Sequence, residues 1–254
     1  MRELPGGKVL FSEKNLRAGE IERIVRAMNW KFLAAWLAMA AVAFGSEPTA
    51  EEILAAARMN PVGQAVALRA QLRAGSAKVP FLLEVRDGAV RYLFENPSEE
   101  IRLRLEENGS VLEEVKTGGA NPVAVARFDD SVRGGLITYE DLALKFLYWK
   151  NPKLLGSETV RSRDAWKIEV LAPADGSQYG AVRVWIDKAS AALLRIEGYD
   201  REGKLAKRFE VVSAQKIDGQ WMLKQMRVER IDPATRKTTG ITYLEVLGSR
   251  IVGS

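Results

Sequence analysis

The chain has 254 residues, with 38 Lys+Arg, 33 Asp+Glu, no histidine and no cysteine. Without cysteine there is no disulfide, thiolate nucleophile or Cys-ligated metal centre; without histidine there is no Ser-His-Asp relay, imidazole shuttle or histidine metal ligand. A hydrophobic content of 47% and a charged content of 28% suit an ordinary globular chain of one domain, or one domain plus a short appendage.

The net charge of +5 is not concentrated. Residues 1–45 hold seven Lys/Arg and four Asp/Glu, or +3, which leaves 31 basic and 29 acidic residues, or +2, for the remainder. Both signs alternate along that remainder, so no basic stripe is available to follow a phosphate backbone, and nucleic acid is not an expected partner.

From the N-terminus, the first strong signal is the apolar run from Phe32 to Phe44, preceded by Arg26 and Lys31. As a helix it would cover only ~20 Å, short of the ~30 Å hydrocarbon core. Ala43-Phe44-Gly45 has the small-x-small form of a signal-peptidase site, and polar Ser46-Glu47-Pro48 follows. These features predict a secretory signal peptide over 28–45, with Met28 as the initiator and residues 1–27 as over-annotated translation. A genuine N-terminal extension is the rival reading. No cysteine follows the apolar run, so the mature chain from 46 to 254 is expected in the periplasm without a lipid anchor.

Thr49 can cap a helix running to about Met59, with Glu51 and Glu52 in its first turn and Ile53, Leu54 and Ala57 inward. Beyond Asn60-Pro61 and Gly63 the period is mostly two. Phe81, Leu83 and Val85 alternate with Leu82, Glu84 and Arg86. Val90, Tyr92 and Phe94 oppose Arg91, Leu93 and Glu95. Ile101, Leu103 and Leu105 oppose Arg102, Arg104 and Glu106. Trp166, Ile168 and Val170 oppose Lys167 and Glu169, and Val182, Val184 and Ile186 oppose Arg183, Trp185 and Asp187. Such alternation marks antiparallel strands with one covered and one wet face. Turn signals at Asp87-Gly88, Asn108-Gly109, Asp175-Gly176, Gly203, Asp218-Gly219 and Asp232-Pro233 predict hairpins and a meander of roughly ten strands, enough to curl an open sheet.

Residues 117–135 read as a long surface loop. After it, Thr138-Tyr-Glu-Asp141 predicts a capping box, and Leu142, Phe146 and Trp149 lie at helical spacing before Asn151-Pro152. Leu142, Phe146 and Trp149 are the expected underside of a lid helix, with Glu140 and Lys145 toward water. The fold class is mainly β: a large curled antiparallel sheet forming an unclosed barrel, with a few helices over its concave face. Phe81, Leu83, Tyr92, Phe94, Ile101, Leu103, Trp166, Ile168, Val182 and Val184 are expected to face that concavity. The concavity is either a filled core or a cavity for an apolar ligand.

No catalytic constellation emerges. Ser213-Ala-Gln-Lys216 and Lys116-Thr-Gly118 match two short motifs of serine β-lactamases, but Ser213 closes a strand, the order is wrong and the third motif is missing. Glu106-Glu107, Glu113-Glu114 and Asp129-Asp130 are adjacent in extended chain, point apart and read as solvated surface charge. Neither a metal nor an organic cofactor is expected.

The segments Trp166-Lys-Ile-Glu-Val170, Tyr179-Gly-Ala-Val-Arg-Val-Trp-Ile-Asp-Lys188, Ile196-Glu-Gly-Tyr-Asp-Arg-Glu-Gly-Lys204, Lys207 and Lys216-Ile-Asp-Gly-Gln-Trp221 occur in an order that resembles the bacterial outer-membrane lipoprotein-sorting (LolA-like) family. Thr138-Tyr-Glu-Asp-Leu142 is similar to that family's short helix motif. The resemblance covers about 138–246, and Met222-Leu223-Lys224 departs from it where many relatives have a proline. It implies an unclosed barrel with a helical lid over a hydrophobic cavity. It also implies a non-enzymatic periplasmic carrier of lipoprotein acyl chains or another lipid, for which inner- and outer-membrane proteins are candidate partners; the sequence does not fix the oligomeric state, and a monomer is the expectation. An envelope sensor or protein-interaction module on the same fold is the alternative.

Overall fold

The structure, a computed structural model, describes residues 47–59, 66–174, 176–217 and 220–249. The expected signal peptide at 28–45, its cleavage site, and the extension at 1–27 lie outside these residues. Among those described, no helix is long and apolar enough to cross a membrane.

Helix α1 spans Ala50–Met59. Thr49 and Glu52 close it reciprocally, with the Thr49 amide donating to Glu52 Oε2 at 2.8 Å and the Glu52 amide donating to Thr49 Oγ1 at 3.2 Å. Ile53, Leu54 and Ala57 form its buried face. The strands follow as β1 (Val66–Ala74), β2 (Ala77–Arg86), β3 (Ala89–Phe94), β4 (Glu99–Leu105), β5 (Ser110–Lys116) and β6 (Gly119–Pro122). After a connector come β7 (Lys153–Val160), β8 (Arg163–Leu171), β9 (Ala181–Asp187), β10 (Leu193–Tyr199), β11 (Leu205–Ile217), β12 (Gln220–Ile231) and β13 (Thr238–Ser249).

These thirteen strands, rather than about ten, make one antiparallel sheet in the order β6-β5-β4-β3-β2-β1-β13-β12-β11-β10-β9-β8-β7. It consists of two meanders, β1–β6 and β7–β13, joined where β1 pairs with β13. The two outer strands, β6 and β7, are consecutive in the chain but do not pair, so the barrel stays open. Curling is nonetheless strong. Strands β4 and β9 lie eight positions apart in the sheet order, which is about 38 Å in a flat sheet at ~4.8 Å per strand. Yet Leu103 of β4 and Val182 of β9 line the same cavity.

Register enforces the apolar face. Phe81 opposes Phe94, Leu83 opposes Tyr92, Val90 opposes Leu103, and Ile168 opposes Val184. The opposite face carries a ladder of charge: Arg183 with Glu169 at 2.8 Å, Arg208 with Glu197 at 2.9 Å, and Arg195 with Glu210 at 2.8 Å. That ladder is where the interleaved charges of the sequence go.

Three expectations need correction. Trp185 and Asp187 do lie opposite the core, but they are not wet: Trp185 packs with Val160, Ala165 and Leu194, and Asp187 is held by Arg163 and Ser190. Glu113 and Glu114 are not solvated either, because Arg102 takes up Glu113 at 2.9 Å and Arg127 takes up Glu114. Finally, 117–135 is no plain surface loop. It contains β6 and 3-10 turns at Val125–Arg127 and Val132–Gly134, and it buries Val123, Phe128 and Val132 in the main core. Those apolar residues are too widely spaced to produce a periodic signal.

The seam between the meanders is held by Glu245 of β13, which accepts from Gln71 at 2.6 Å and Arg73 at 2.8 Å on β1 and from Gln225 at 2.9 Å on β12. The Arg73 hydrogen bond, then those of Gln71 and Gln225, pull its carboxyl down to about 2 against the opposing effect of burial. A depressed carboxyl stabilises the fold above its unfolded value and loses that contribution as pH falls toward the folded value. Stability should therefore decline between pH 4.5 and about 2 in part through this group. In urea titrations across that range, Glu245→Gln should show a shallower acid limb than wild type; parallel limbs would show that the seam is not held this way.

Candidate functional site

The connector from β6 to β7, residues 123–152, crosses the concave face. Its helix α2 (Tyr139–Ala143) begins with a full capping box: the Asp141 amide donates to Thr138 Oγ1 at 3.3 Å and the Thr138 amide donates to Asp141 Oδ2 at 2.8 Å. The predicted single helix to Trp149 does not form. Leu144 adopts left-handed backbone at φ 50°, ending α2, and Lys145–Tyr148 continue as a 3-10 turn. Leu142, Phe146 and Trp149 thus do not share one helical face. Glu140, expected in water, is buried and accepts from the Gln178 amide at 2.9 Å.

Polar contacts fasten the connector on both flanks. Toward the first meander, Tyr139 donates to Glu99 at 2.9 Å, and Arg133 pairs with Glu99 at 2.6 Å while lying 4.5 Å over the Phe94 ring. Toward the second, Asp141 receives Tyr179 Oη on Oδ1 at 2.7 Å and Lys207 Nζ on Oδ2 at 2.7 Å. The Lys207 and Asp141 side chains are 8% and 4% exposed. Burial, with Asp141 alongside, pushes the Tyr179 phenol well above its usual range. A Cβ on Gly198 would lie 2.2 Å from the Tyr179 ring, so that ring sits against the sheet only because β10 has glycine there. Behind Leu144 the fastening is different: Arg58 of α1 donates to the Leu147 carbonyl and stacks 4.5 Å from Tyr148, whose hydroxyl donates to the Glu106 carbonyl at 2.8 Å.

Between connector and sheet lies a cavity of about 290 Å³. Its walls are Leu83, Val85, Val90, Tyr92, Leu103 and Leu105 on one side and Val182, Leu193, Ile196, Phe209, Leu223 and Met226 on the other; Ile137, Leu142, Leu144 and Phe146 cover it. Among the lining residues only Tyr92, Asp141 and Tyr179 have polar side chains. A small hollow of about 10 Å³, room for one water at most, lies beside it between Phe81, Phe94, Tyr92 and Val132.

Of the residues predicted for the concavity, Leu83, Tyr92, Leu103 and Val182 line the cavity, and Phe81 and Phe94 bound the small hollow. Ile101, Ile168 and Val184 are sealed in the packed core, and Trp166 packs at its margin under Lys188. Of the lid residues, Leu142 and Phe146 line the cavity and Trp149 packs against the core. Sequence reasoning missed Asp141, Tyr179 and Lys207 as a cluster. One signal was present: Lys207 shares alternation parity with Phe209, which puts a charge on the apolar face.

A family model described as "uncharacterized protein" matches residues 122–247. No protein of curated function matches the chain. Among solved structures, an outer membrane lipoprotein-sorting protein domain assigned in Vibrio parahaemolyticus is 17% identical with a TM-score of 0.57, over 76% of this chain and 88% of that one. A LolA superfamily protein from Nitrosomonas europaea is 17% identical with a TM-score of 0.54, over 78% and 91%. A DUF1329 family protein from Desulfovibrio piger is 19% identical with a TM-score of 0.51, over 80% and 93%. The chain has the LolA-like fold, as its motifs suggested.

Removing one member of the buried pair leaves the other charge uncompensated. Lys207→Met should cost about 3–5 kcal/mol in denaturant unfolding, and the added change Asp141→Asn, which removes the charge but keeps an oxygen for the capping box, should recover part of it. Additive losses in the double variant would show that the two side chains act separately.

Proposed function

We propose that this chain, built on the LolA-like fold, is a carrier that holds an acyl chain or another apolar ligand beneath the connector. The observation that carries this reading is the cavity itself. A packed core leaves few voids larger than a water, whereas about 290 Å³ here stays unfilled beneath an almost wholly apolar wall. That volume is near the lower edge of small-molecule sites, ~300–1,000 Å³. A larger cargo, such as a lipoprotein's several acyl chains, would have to displace the connector. Leu142 and Phe146 are the contacts it would exchange, with apolar chain replacing apolar side chain. The apolar run at Phe32–Phe44 and its small-residue ending support export, so the proposed place of work is the periplasm.

The direct experiment is mass spectrometry of lipid extracted from the exported protein, where copurified acyl lipid is the expected result. Clean apo protein that captures a membrane-protein segment would favour the sensor alternative. Phe146 supplies the mechanistic test. Truncating it enlarges an existing void, so Phe146→Ala should speed release of an acyl fluorophore several-fold and cost less than the ~3–5 kcal/mol typical of a fully packed phenylalanine. Ile168→Ala, in the sealed core, should lower the melting midpoint and leave release unchanged. If Phe146→Ala chiefly lowers the midpoint and release stays the same, the connector is core and not a lid.

A further inference from the structure

We propose that Tyr92 is the polar contact for the cavity's ligand, its hydroxyl donating a hydrogen bond to an uncharged oxygen acceptor on an otherwise apolar chain. The chemical class is an acyl ester, acyl amide or fatty alcohol rather than a free fatty-acid anion. This deepens the carrier reading and rests on it.

The hydroxyls of Tyr139, Tyr148, Tyr179 and Tyr199 each donate to an oxygen acceptor. The Tyr92 and Tyr243 hydroxyls, by contrast, have no hydrogen-bond partner among the described residues, and of these two Tyr92 is the one that lines the cavity. Burial pushes this phenol up to about 12, so it remains a protonated donor at any physiological pH. Tyr92 nevertheless keeps accessible surface, although protein encloses it. The two facts agree if that surface faces the cavity that Tyr92 lines.

Packing does not call for the hydroxyl. Tyr92 sits in an aromatic cluster with Phe81, 6.0 Å between ring centroids, and Phe81 in turn packs on Phe94 at 5.2 Å. Phenylalanine at 92 would fill the same space, so the hydroxyl is spare as far as packing goes and is left without a protein acceptor. A ligand oxygen in the cavity would supply the acceptor that the protein does not.

The charge of that oxygen follows from the wall. Asp141 lines the cavity, whereas Lys207, which neutralises it, does not, so an incoming carboxylate would meet the anionic member of the pair first. A carbonyl or hydroxyl oxygen meets no such repulsion.

The test compares Tyr92→Phe with wild type, each titrated with methyl dodecanoate, dodecane and dodecanoate against a displaceable acyl fluorophore. Removing one hydrogen bond should weaken the ester by about five- to tenfold and leave dodecane unchanged. Wild type should bind the ester more tightly than dodecanoate. Ligand-free Tyr92→Phe should melt no lower than wild type. A lower melting midpoint would mean that the hydroxyl already has a partner, and equal affinities of both proteins for the ester would mean that the ligand ignores it; either result overturns the proposal. Tighter binding of dodecanoate than of the ester by wild type would overturn the choice of ligand class. If wild type binds none of the three, the carrier reading fails, and this inference falls with it.

Discussion

Everything in this fold follows from one constraint: an antiparallel sheet that curls without closing has an apolar concave face that must be covered. The two meanders supply the wall, and the chain between their outer strands, β6 and β7, supplies the cover. Because that connector starts at one edge of the sheet and ends at the other, crossing the concavity is its direct route. Its apolar residues, Val123, Phe128, Val132, Ile137, Leu142 and Phe146, are buried in the core that both meanders share. Covering the sheet and joining its halves are thus done by the same thirty residues.

The cover is fastened unequally. Before Leu144 the connector is held by charge and hydrogen bonds at both flanks: Glu99 with Arg133 and Tyr139, then Asp141 with Lys207 and Tyr179. A buried ion pair gains little net stability over apolar packing, but it is strongly directional, and losing half of it is costly. It therefore sets where α2 sits more than how stable the fold is. After Leu144 the contacts are the Leu147 carbonyl taken up by Arg58, the Tyr148 hydroxyl donating to the Glu106 carbonyl, Arg58 stacking on Tyr148, and apolar packing over the void. Leu144, left-handed, thus separates a stretch held by buried charge from one held by hydrogen bonds to two carbonyls and by apolar packing.

The sheet was largely legible in the sequence, because alternation at 81–85, 90–94, 101–105, 166–170 and 182–186 reports directly which face is covered. The cap at Thr49 and the capping box at Thr138 were legible for a related reason: they depend on residues close in sequence. What escaped depends on residues far apart. Lys207 and Asp141 are separated by 66 positions, and only the curl of the sheet brings them together. Likewise, helical spacing suggested one helix through Trp149, since Leu142, Phe146 and Trp149 keep that spacing whether or not Leu144 turns left-handed. Whether the concavity was filled could not be read at all, as packing density is a property of the assembled walls. That is why Ile101, Ile168 and Val184, indistinguishable by pattern from Leu83 and Leu103, lie in solid core.

The composition also limits how such a cover can be moved. Histidine is the side chain whose ordinary titration falls in the physiological range, and cysteine is the usual redox trigger; this chain has neither. Carboxylates and ammonium groups ordinarily titrate well away from neutrality. No histidine or thiol switch can therefore release the connector. A ligand or partner can shift a conformational equilibrium only by its differential affinity for the two states. Under the proposed carrier reading, that difference would come from contact exchange at Leu142, Leu144 and Phe146, where an apolar chain would replace the side chains at little net change in buried area. The polar fastening at Asp141 and Glu99 would meanwhile keep the displaced segment attached. Under that reading, at neutral pH the cover responds to what occupies the cavity rather than to a proton or redox signal.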